Sequence, residues 1–293
     1  MNPRSFLVAT DLDRTMIYSR ASAGEQFAAT SPVCVEIYNN APLSYLTATA
    51  HTLLAELTAH AIVVPTTTRT PAQYGRIDLP SGPHRYAVTS NGGAILVDGQ
   101  PDPVWRDHID RIGAAAGPPV GAVVDELAGR VDDSWVRSLR TADDLFCYLV
   151  VDTDQQPGDF VAEWRGWCEP RGWNVSQQGR KIYTMPNAVT KSAAVREVHA
   201  RLTADRALHA DSVVLAAGDG VLDIDLLEYA DLAIRPRHGE LEETRWQHPE
   251  VAVTAARGIT AGEEILTWFH HHATSTAHPD MTAAQRTSTC TTN

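Results

Sequence analysis

Three short apolar runs in this chain each stop at a polar cluster. Residues 6–10 (FLVAT) run into Asp11-Leu12-Asp13, residues 61–64 into Pro65 and three threonines, and residues 212–217 into Gly218-Asp219. A continuous apolar run this short reads as a strand buried on both faces. Shorter runs at 232–234 and 251–253 read the same way. Between the runs, apolar residues recur at helical spacing. Leu53, Leu54 and Leu57 do so within 49–59, and Ala194, Val195, Val198 and Leu202 within 191–202; 224–230 and 261–269 read as further helices. Strands that alternate with helices predict an α/β chain with a parallel sheet covered on both faces.

The middle of the chain has a different rhythm. Residues 86–90 are followed by the turn signal Asn91-Gly92-Gly93 and a return strand at 94–97, which predicts a hairpin. Helices are expected at 104–116 and 120–127. A strand at 145–151, a helix at 160–169 and strands at 173–176 and 181–185 follow, the last two joined by Gln177-Gln178-Gly179-Arg180. The expected organisation is a discontinuous core, 1–99 and 186–272, with a small α+β domain inserted at 100–185. The Thr-, Ser- and Ala-rich stretch 273–293 reads as a disordered tail. His270, His271 and His272, just before it, read as exposed histidines at a fraying helix end.

Composition narrows the partners. The 293 residues are 43% apolar and 20% charged, enough to build a sizeable core. With 24 Lys plus Arg against 36 Asp plus Glu, the formal charge is −12, which argues against a non-specific nucleic-acid binder. A small phosphorylated substrate remains compatible, because a pocket can reverse the sign locally. Cys34, Cys147, Cys168 and Cys290 form no CxxC pair, so neither a disulfide framework nor a zinc site is expected. No apolar run approaches the roughly 20 residues of a membrane span, and the first run meets Asp11 too soon for a signal peptide. A cytoplasmic protein without a membrane partner is the expectation; monomer or homodimer stays open.

The chemistry gathers at the ends of the apolar runs. In an extended chain residues i and i+2 share a side, so Asp11 and Asp13 place two carboxylates together at a strand's carboxyl end. Open α/β sheets put their sites there. Two carboxylates about 4 Å apart repel by roughly 1 to 4 kcal/mol, so such a pair needs a cation, a shared proton or separation. Asp219 and Asp223 follow the third run. If both strands are central, up to four carboxylates converge, and hard oxygen ligands without cysteine favour Mg2+.

Taken in order, these motifs resemble the haloacid dehalogenase superfamily of phosphohydrolases. Motif one is Asp11-Leu12-Asp13-Arg14-Thr15. Motif two is the threonine of Thr66-Thr67-Thr68-Arg69, aligned at Thr67 with Thr66 one residue away as the alternative. Motif three is Lys191 in Ala188-Val189-Thr190-Lys191, with Lys181 as competitor, and motif four is Gly218-Asp219-Gly220-Val221-Leu222-Asp223. The insertion between motifs two and three resembles the large α+β cap of the Cof, sucrose-phosphatase and mannosyl-3-phosphoglycerate-phosphatase branches. The resemblance covers about residues 6–269 and implies a Rossmann-like parallel-sheet core. It further implies a Mg2+-dependent phosphomonoester hydrolase acting through an aspartyl-phosphate on a small metabolite, most readily a sugar phosphate.

By that resemblance Asp11 is the nucleophile and Asp13 the acid and base. Thr67 donates to a phosphoryl oxygen, and Lys191 offsets charge between nucleophile and phosphate. Mg2+ is held by Asp11, the Asp13 main-chain carbonyl and Asp219, with Asp223 binding through water or orienting Lys191. Arg69, Asn91, Arg180 and Asn187 are the candidate substrate-side residues. Arg14 departs from the glycine usual after the second aspartate, Leu222 stands where many Cof-type proteins have Asn, and 18–48 is longer than usual. That segment is either a flap over substrate or a surface hairpin. Trp164, Trp167 and Trp173 are expected in the inserted domain's core and on its surface, with stacking on a sugar as the alternative. A phosphotransferase or phosphomutase on the same core, or a binding protein that keeps the fold, are the alternatives.

Overall fold

The computed structural model describes residues 4–80 and 82–275. Its central sheet has five parallel strands in the order Val251–Val253, Leu232–Arg235, Leu208–Ala217, Arg4–Thr10, Ile62–Pro65. The strand Arg4–Thr10 lies inside it, with Ala9 beside Ala216 on one side and Val64 on the other. Its side chains alternate between two cores. Leu7 and Ala9 join Val64, Val214 and Ala216 under the helix Lys191–Ala204. Val8 joins Val63, Leu215, Leu54 and Phe269 under the helices Ala48–Leu57 and Ile259–Thr274. Burial on both faces is why the strand carries no polar alternation, and each large side chain so buried contributes about 1.5–3 kcal/mol.

The helix Lys191–Ala204 starts where Thr190 caps it, its hydroxyl accepting from the Ala193 N–H. The first turn is held against the hairpin Tyr86–Thr89/Ala94–Val97, joined by the tight turn Ser90–Gly92. Gly92 sits at φ +97°, where a Cβ would stand 2.0 Å from the Thr190 carbonyl oxygen. Only glycine fits so close an approach in that backbone region.

The inserted unit is a four-stranded antiparallel sheet in the order Trp173–Gln178, Lys181–Pro186, Phe146–Val151, Val136–Ala142. One face packs on its helices Val120–Ala128 and Phe160–Cys168, burying Cys147, Leu149, Ile182, Trp164 and Trp173. Trp164 also donates its indole N–H to Thr184 Oγ1 at 2.8 Å. The tryptophans are therefore packing residues here, with Trp167 stacked on Trp164 at 4.9 Å. The other face, carrying Phe146, Tyr148, Tyr183 and Met185, joins the core cluster of the parallel sheet. The edge strand Val136–Ala142 was absent from the sequence expectation. Its Arg137 and Arg140 break the apolar signal, as suits a strand with one open edge.

Residues 18–48 fold as a small sheet of Tyr18–Ser19, Ala41–Leu46 and Val33–Tyr38, with Asn39 and Asn40 at φ +50° and +58° in the tight turn. Ala273 and Thr274 end the last helix rather than opening a tail; the remainder of that expectation, from 276 on, lies outside the described residues, as does Cys290. Cys34, Cys147 and Cys168 are free thiols. No helix among the described residues is long and apolar enough to cross a membrane.

Candidate active site

Two adjacent parallel strands end side by side, and their ends deliver the acids. The Asp11 N–H donates to the Ala217 carbonyl at 2.9 Å, tying the motif after Arg4–Thr10 to the end of Leu208–Ala217. Asp11, Asp219 and Asp223 each offer a carboxylate oxygen within 4.8 Å of the others, and all three are buried. Lys191, 1% exposed, reaches in from the first turn of its helix. Its ammonium donates to Asp11 Oδ1 at 2.7 Å and to Asp223 Oδ1. The remaining Asp223 oxygen accepts from the Asp219 and Gly220 N–H groups at 3.0 and 2.9 Å. Both oxygens of Asp223 are thus engaged, which leaves it to orient Lys191 and shape the loop.

Two carboxylate oxygens stay open. Asp219 Oδ2 is buried without a hydrogen bond, and Asp11 Oδ2 accepts none among the described residues. Arg14 Nε stands 3.6 Å from Asp219 Oδ2, close enough for charge but not for a hydrogen bond. Gly239, at φ +87°, leaves the space beside that oxygen clear; a Cβ there would lie 2.4 Å from it. A buried, orphaned carboxylate oxygen beside a second open one, with no sulfur or imidazole in the group, fits a hard divalent cation such as Mg2+. Burial pushes the Asp11 carboxyl up to about 7, against the pull of Lys191. Burial, then the charges of Asp11 and Asp223, push Asp219 well above the usual carboxylate range. Without a cation the cluster therefore holds protons at pH values where exposed carboxylates hold none.

Asp13 behaves in the opposite way. Burial alone would raise it, but Arg69 grips both its oxygens, Nε to Oδ2 at 2.6 Å and Nη2 to Oδ1 at 2.7 Å, and holds it below the usual range. Arg69 is itself held from behind by Glu36 at 2.9 Å. Glu36, fully buried, also accepts from Ser44 Oγ at 2.6 Å and Arg76 Nε at 3.1 Å. The small sheet of 18–48 thus reaches the site through Glu36, a residue that no sequence motif singles out. Thr67 is buried; its hydroxyl accepts from the Arg69 N–H at 3.1 Å, leaving its own proton uncommitted. Thr66 turns its hydroxyl back onto the Val64 carbonyl at 3.0 Å.

No family model and no curated sequence matches this chain. Solved structures do. A sucrose-phosphatase from Synechocystis sp., solved with sucrose and phosphate, aligns at a TM-score of 0.60 and 16% identity over 91% of this chain and 98% of that one. A sugar phosphatase described as haloacid dehalogenase subclass IIB aligns at 0.56 and 11% identity, over 91% and 99%. A protein described as related to trehalose-6-phosphate phosphatase aligns at 0.52 and 18%, over 91% and 97%. These likenesses show a shared fold, a Rossmann-like parallel sheet with an inserted α+β unit. Arg14, which stands where the resembled first motif usually has glycine, has φ +62°, the region glycine adopts freely.

The four substrate-side candidates scatter. Arg69 lies in the site, bound to Asp13 and Glu36. Asn91 is buried behind it, its amide donating to the Val189 carbonyl at 3.1 Å, so it braces the approach to Lys191. Asn187 is exposed where the cap strand returns to the core, accepting from Asn174 at 3.0 Å. Arg180 is exposed in the cap turn, within the field of Asp152. Its neighbour Lys181, weighed from sequence only as a rival of Lys191, lies on the strand face that turns toward the core, beside the Tyr148 and Tyr183 rings. The signal for this was present in the alternation of 181–186: Lys181, Tyr183 and Met185 share one face of the strand, and Ile182 and Thr184 the other.

Proposed function

We propose that the chain is a Mg2+-dependent phosphomonoester hydrolase that acts through Asp11 on a small sugar phosphate. The observation that carries this reading is the buried Lys191 bridging Asp11 and Asp223 while the neighbouring Asp219 oxygen is left without a hydrogen bond. Structural neighbours described as sugar phosphatases support the substrate class. In this reading residues 1–99 and 186–272 form the core and 100–185 the cap that closes over it.

Mg2+ would be held by Asp11, Asp219 and the Asp13 main chain; when bound it would offset the converging negative charge and polarise phosphoryl oxygens. The protein's own groups do the rest. The open oxygen of Asp11 attacks phosphorus as the bond to the leaving oxygen breaks, giving an aspartyl-phosphate. Lys191 holds the other Asp11 oxygen and counters charge on the transferring group, and the Thr67 hydroxyl donates to a phosphoryl oxygen. Asp13 supplies the proton to the leaving oxygen, then takes one from the water that opens the intermediate. In the described arrangement Arg69 keeps Asp13 ionised, the form that activates water. Proton donation requires Asp13 to leave Arg69 and take up a proton.

The test is phosphate release from hexose phosphates, sucrose 6-phosphate, trehalose 6-phosphate, nucleotides and p-nitrophenyl phosphate, with Mg2+ or with chelator. Asp11→Asn should cost at least about a thousandfold, equivalent to about 4 kcal/mol of barrier. Full activity in that variant would refute the assignment. Transfer of phosphate to a second hydroxyl, rather than its release, would make the chain a phosphotransferase.

A further inference from the structure

Arg14 stands at the edge of the acidic cluster without a settled partner. Its main chain is fixed from both sides. The Arg14 N–H donates to the Ile17 carbonyl at 2.8 Å, and the Arg14 carbonyl accepts from His238 Nε2 at 2.8 Å. His238 accepts the Gly258 N–H at Nδ1, 3.1 Å away, so its ring proton sits on Nε2. The side chain therefore leaves from a fixed point. Its Nε lies 3.6 Å from Asp219 Oδ2, and its Nη2 lies 3.8 Å from Glu243 Oε1. Both distances suit ion pairs and are too long for hydrogen bonds. The two acids differ in their surroundings: the Asp219 side chain is 3% exposed and that of Glu243 67%. The guanidinium thus spans a buried acid and a surface acid and is committed to neither.

Asp219 Oδ2 is also the buried oxygen left without a hydrogen bond, in the group of acids that fits a divalent cation. A guanidinium and a divalent cation beside one carboxylate oxygen repel each other, most strongly where burial keeps water from screening them. Arginine cannot relieve that repulsion by losing its proton. It can only move, and Glu243 offers a carboxylate within reach on the solvent side. We propose that Arg14 competes with the divalent cation for Asp219 Oδ2, with Glu243 as the acid to which its guanidinium withdraws, and that this competition sets the affinity of the site for Mg2+. Removing the charge of Arg14 should tighten metal binding. Removing Glu243 should weaken it, but only while Arg14 is present. This inference rests on the Mg2+ part of the phosphatase reading and not on what the site hydrolyses.

The experiment is calorimetric titration of the whole, chelator-treated protein with MgCl2 at pH 8. Wild type is compared with Arg14→Gln, Arg14→Lys, Glu243→Gln and the Arg14→Gln/Glu243→Gln double variant, after circular dichroism has shown that each folds. Glutamine meets the same left-handed backbone as arginine, φ +62°, so Arg14→Gln isolates the charge. It should bind Mg2+ at least about tenfold more tightly than wild type. Arg14→Lys should stay within about threefold of wild type, because the native contacts are ionic and lysine keeps the charge. Glu243→Gln should weaken binding at least about threefold in wild type and change it less than about twofold in Arg14→Gln. Unchanged or weaker binding in Arg14→Gln, a lysine variant that behaves like the glutamine one, or an equal effect of Glu243→Gln in both backgrounds would overturn the proposal. Any of these beside Mg2+-dependent phosphate release by wild type would leave the phosphatase reading intact. The expected affinities beside a wild type that releases no phosphate would sink that reading and support the role of Arg14. No Mg2+ binding by wild type or any variant would overturn this proposal together with the metal assignment.

Discussion

Asp11 and Asp13 are two residues apart, and their protons respond to the fold in opposite directions. Burial raises Asp11 to about 7, whereas Arg69 outweighs burial at Asp13 and lowers it. For a carboxyl raised on folding, the stabilising contribution is full below the unfolded value of about 4 and is lost as pH rises through the folded value. Asp219, raised by burial and its acidic neighbours, adds to the same trend. Asp13 and Glu36, both lowered in the fold, contribute stability above their unfolded values and lose it as acid protonates them. The metal-free protein should therefore melt at a lower temperature at pH 8 than at pH 5.5. Mg2+ should raise the melting temperature more at pH 8, where the acids that bind it are ionised. Asp11→Asn should lose activity while making the metal-free protein more stable at pH 8, because it removes a buried charge. A fluorimetric melting series at both pH values checks this; an equal melting temperature at pH 5.5 and 8 without metal would count against the assigned burial of charge.

At the scale of elements, the long apolar strands and the helix opening at Lys191 were legible because burial on both faces and helical spacing leave plain sequence patterns. The motif acids were legible because they sit at the strand ends. The edge strand Val136–Ala142 was not, since its solvent-facing arginines interrupt the period. Nor did sequence show that Asn91 braces the helix that carries Lys191, because that contact joins residues 91 and 189 across the fold. The brace gives a sharp prediction. In Gly92→Ala the new Cβ would meet the Thr190 carbonyl at 2.0 Å in a left-handed backbone. The conformational strain, about 1–2 kcal/mol, adds to about 1–3 kcal/mol of overpacking, so urea denaturation should show a loss of about 2–5 kcal/mol. Because the displaced segment positions Lys191, kcat should fall even under conditions where the variant is folded.

Across the whole molecule, one carboxylate beside the site joins the cap directly to the motif-four loop. Glu240, nearly buried, accepts from the cap's Ser176 hydroxyl at 2.6 Å and Gln177 N–H at 3.1 Å, and from the Val221 N–H of the motif-four loop at 3.0 Å. A single side chain thus couples cap position to the loop that carries Asp219 and Asp223. Glu240→Ala should release the cap from that loop. Hydrogen exchange at the amides of Gln177 and Val221 should accelerate at least about tenfold, while the parallel sheet's amides keep their protection. Unchanged exchange at Gln177 would show that the other contacts, the packed aromatic face among them, hold the cap down.

The sequence by itself determined the parallel core, the inserted unit and the order of the acidic motifs, because these follow from local periodicity and from residues placed at strand ends. Only the tertiary structure decided which cations meet which acids. Arg69 closes on Asp13 and is backed by Glu36, from a segment more than 30 residues away in the chain, and Lys181 lies on the core-facing side of its strand while Arg180 faces solvent. Those pairings depend on sheet register and on how the inserted unit docks, and long-range contact of that kind leaves no mark in the spacing of neighbouring residues.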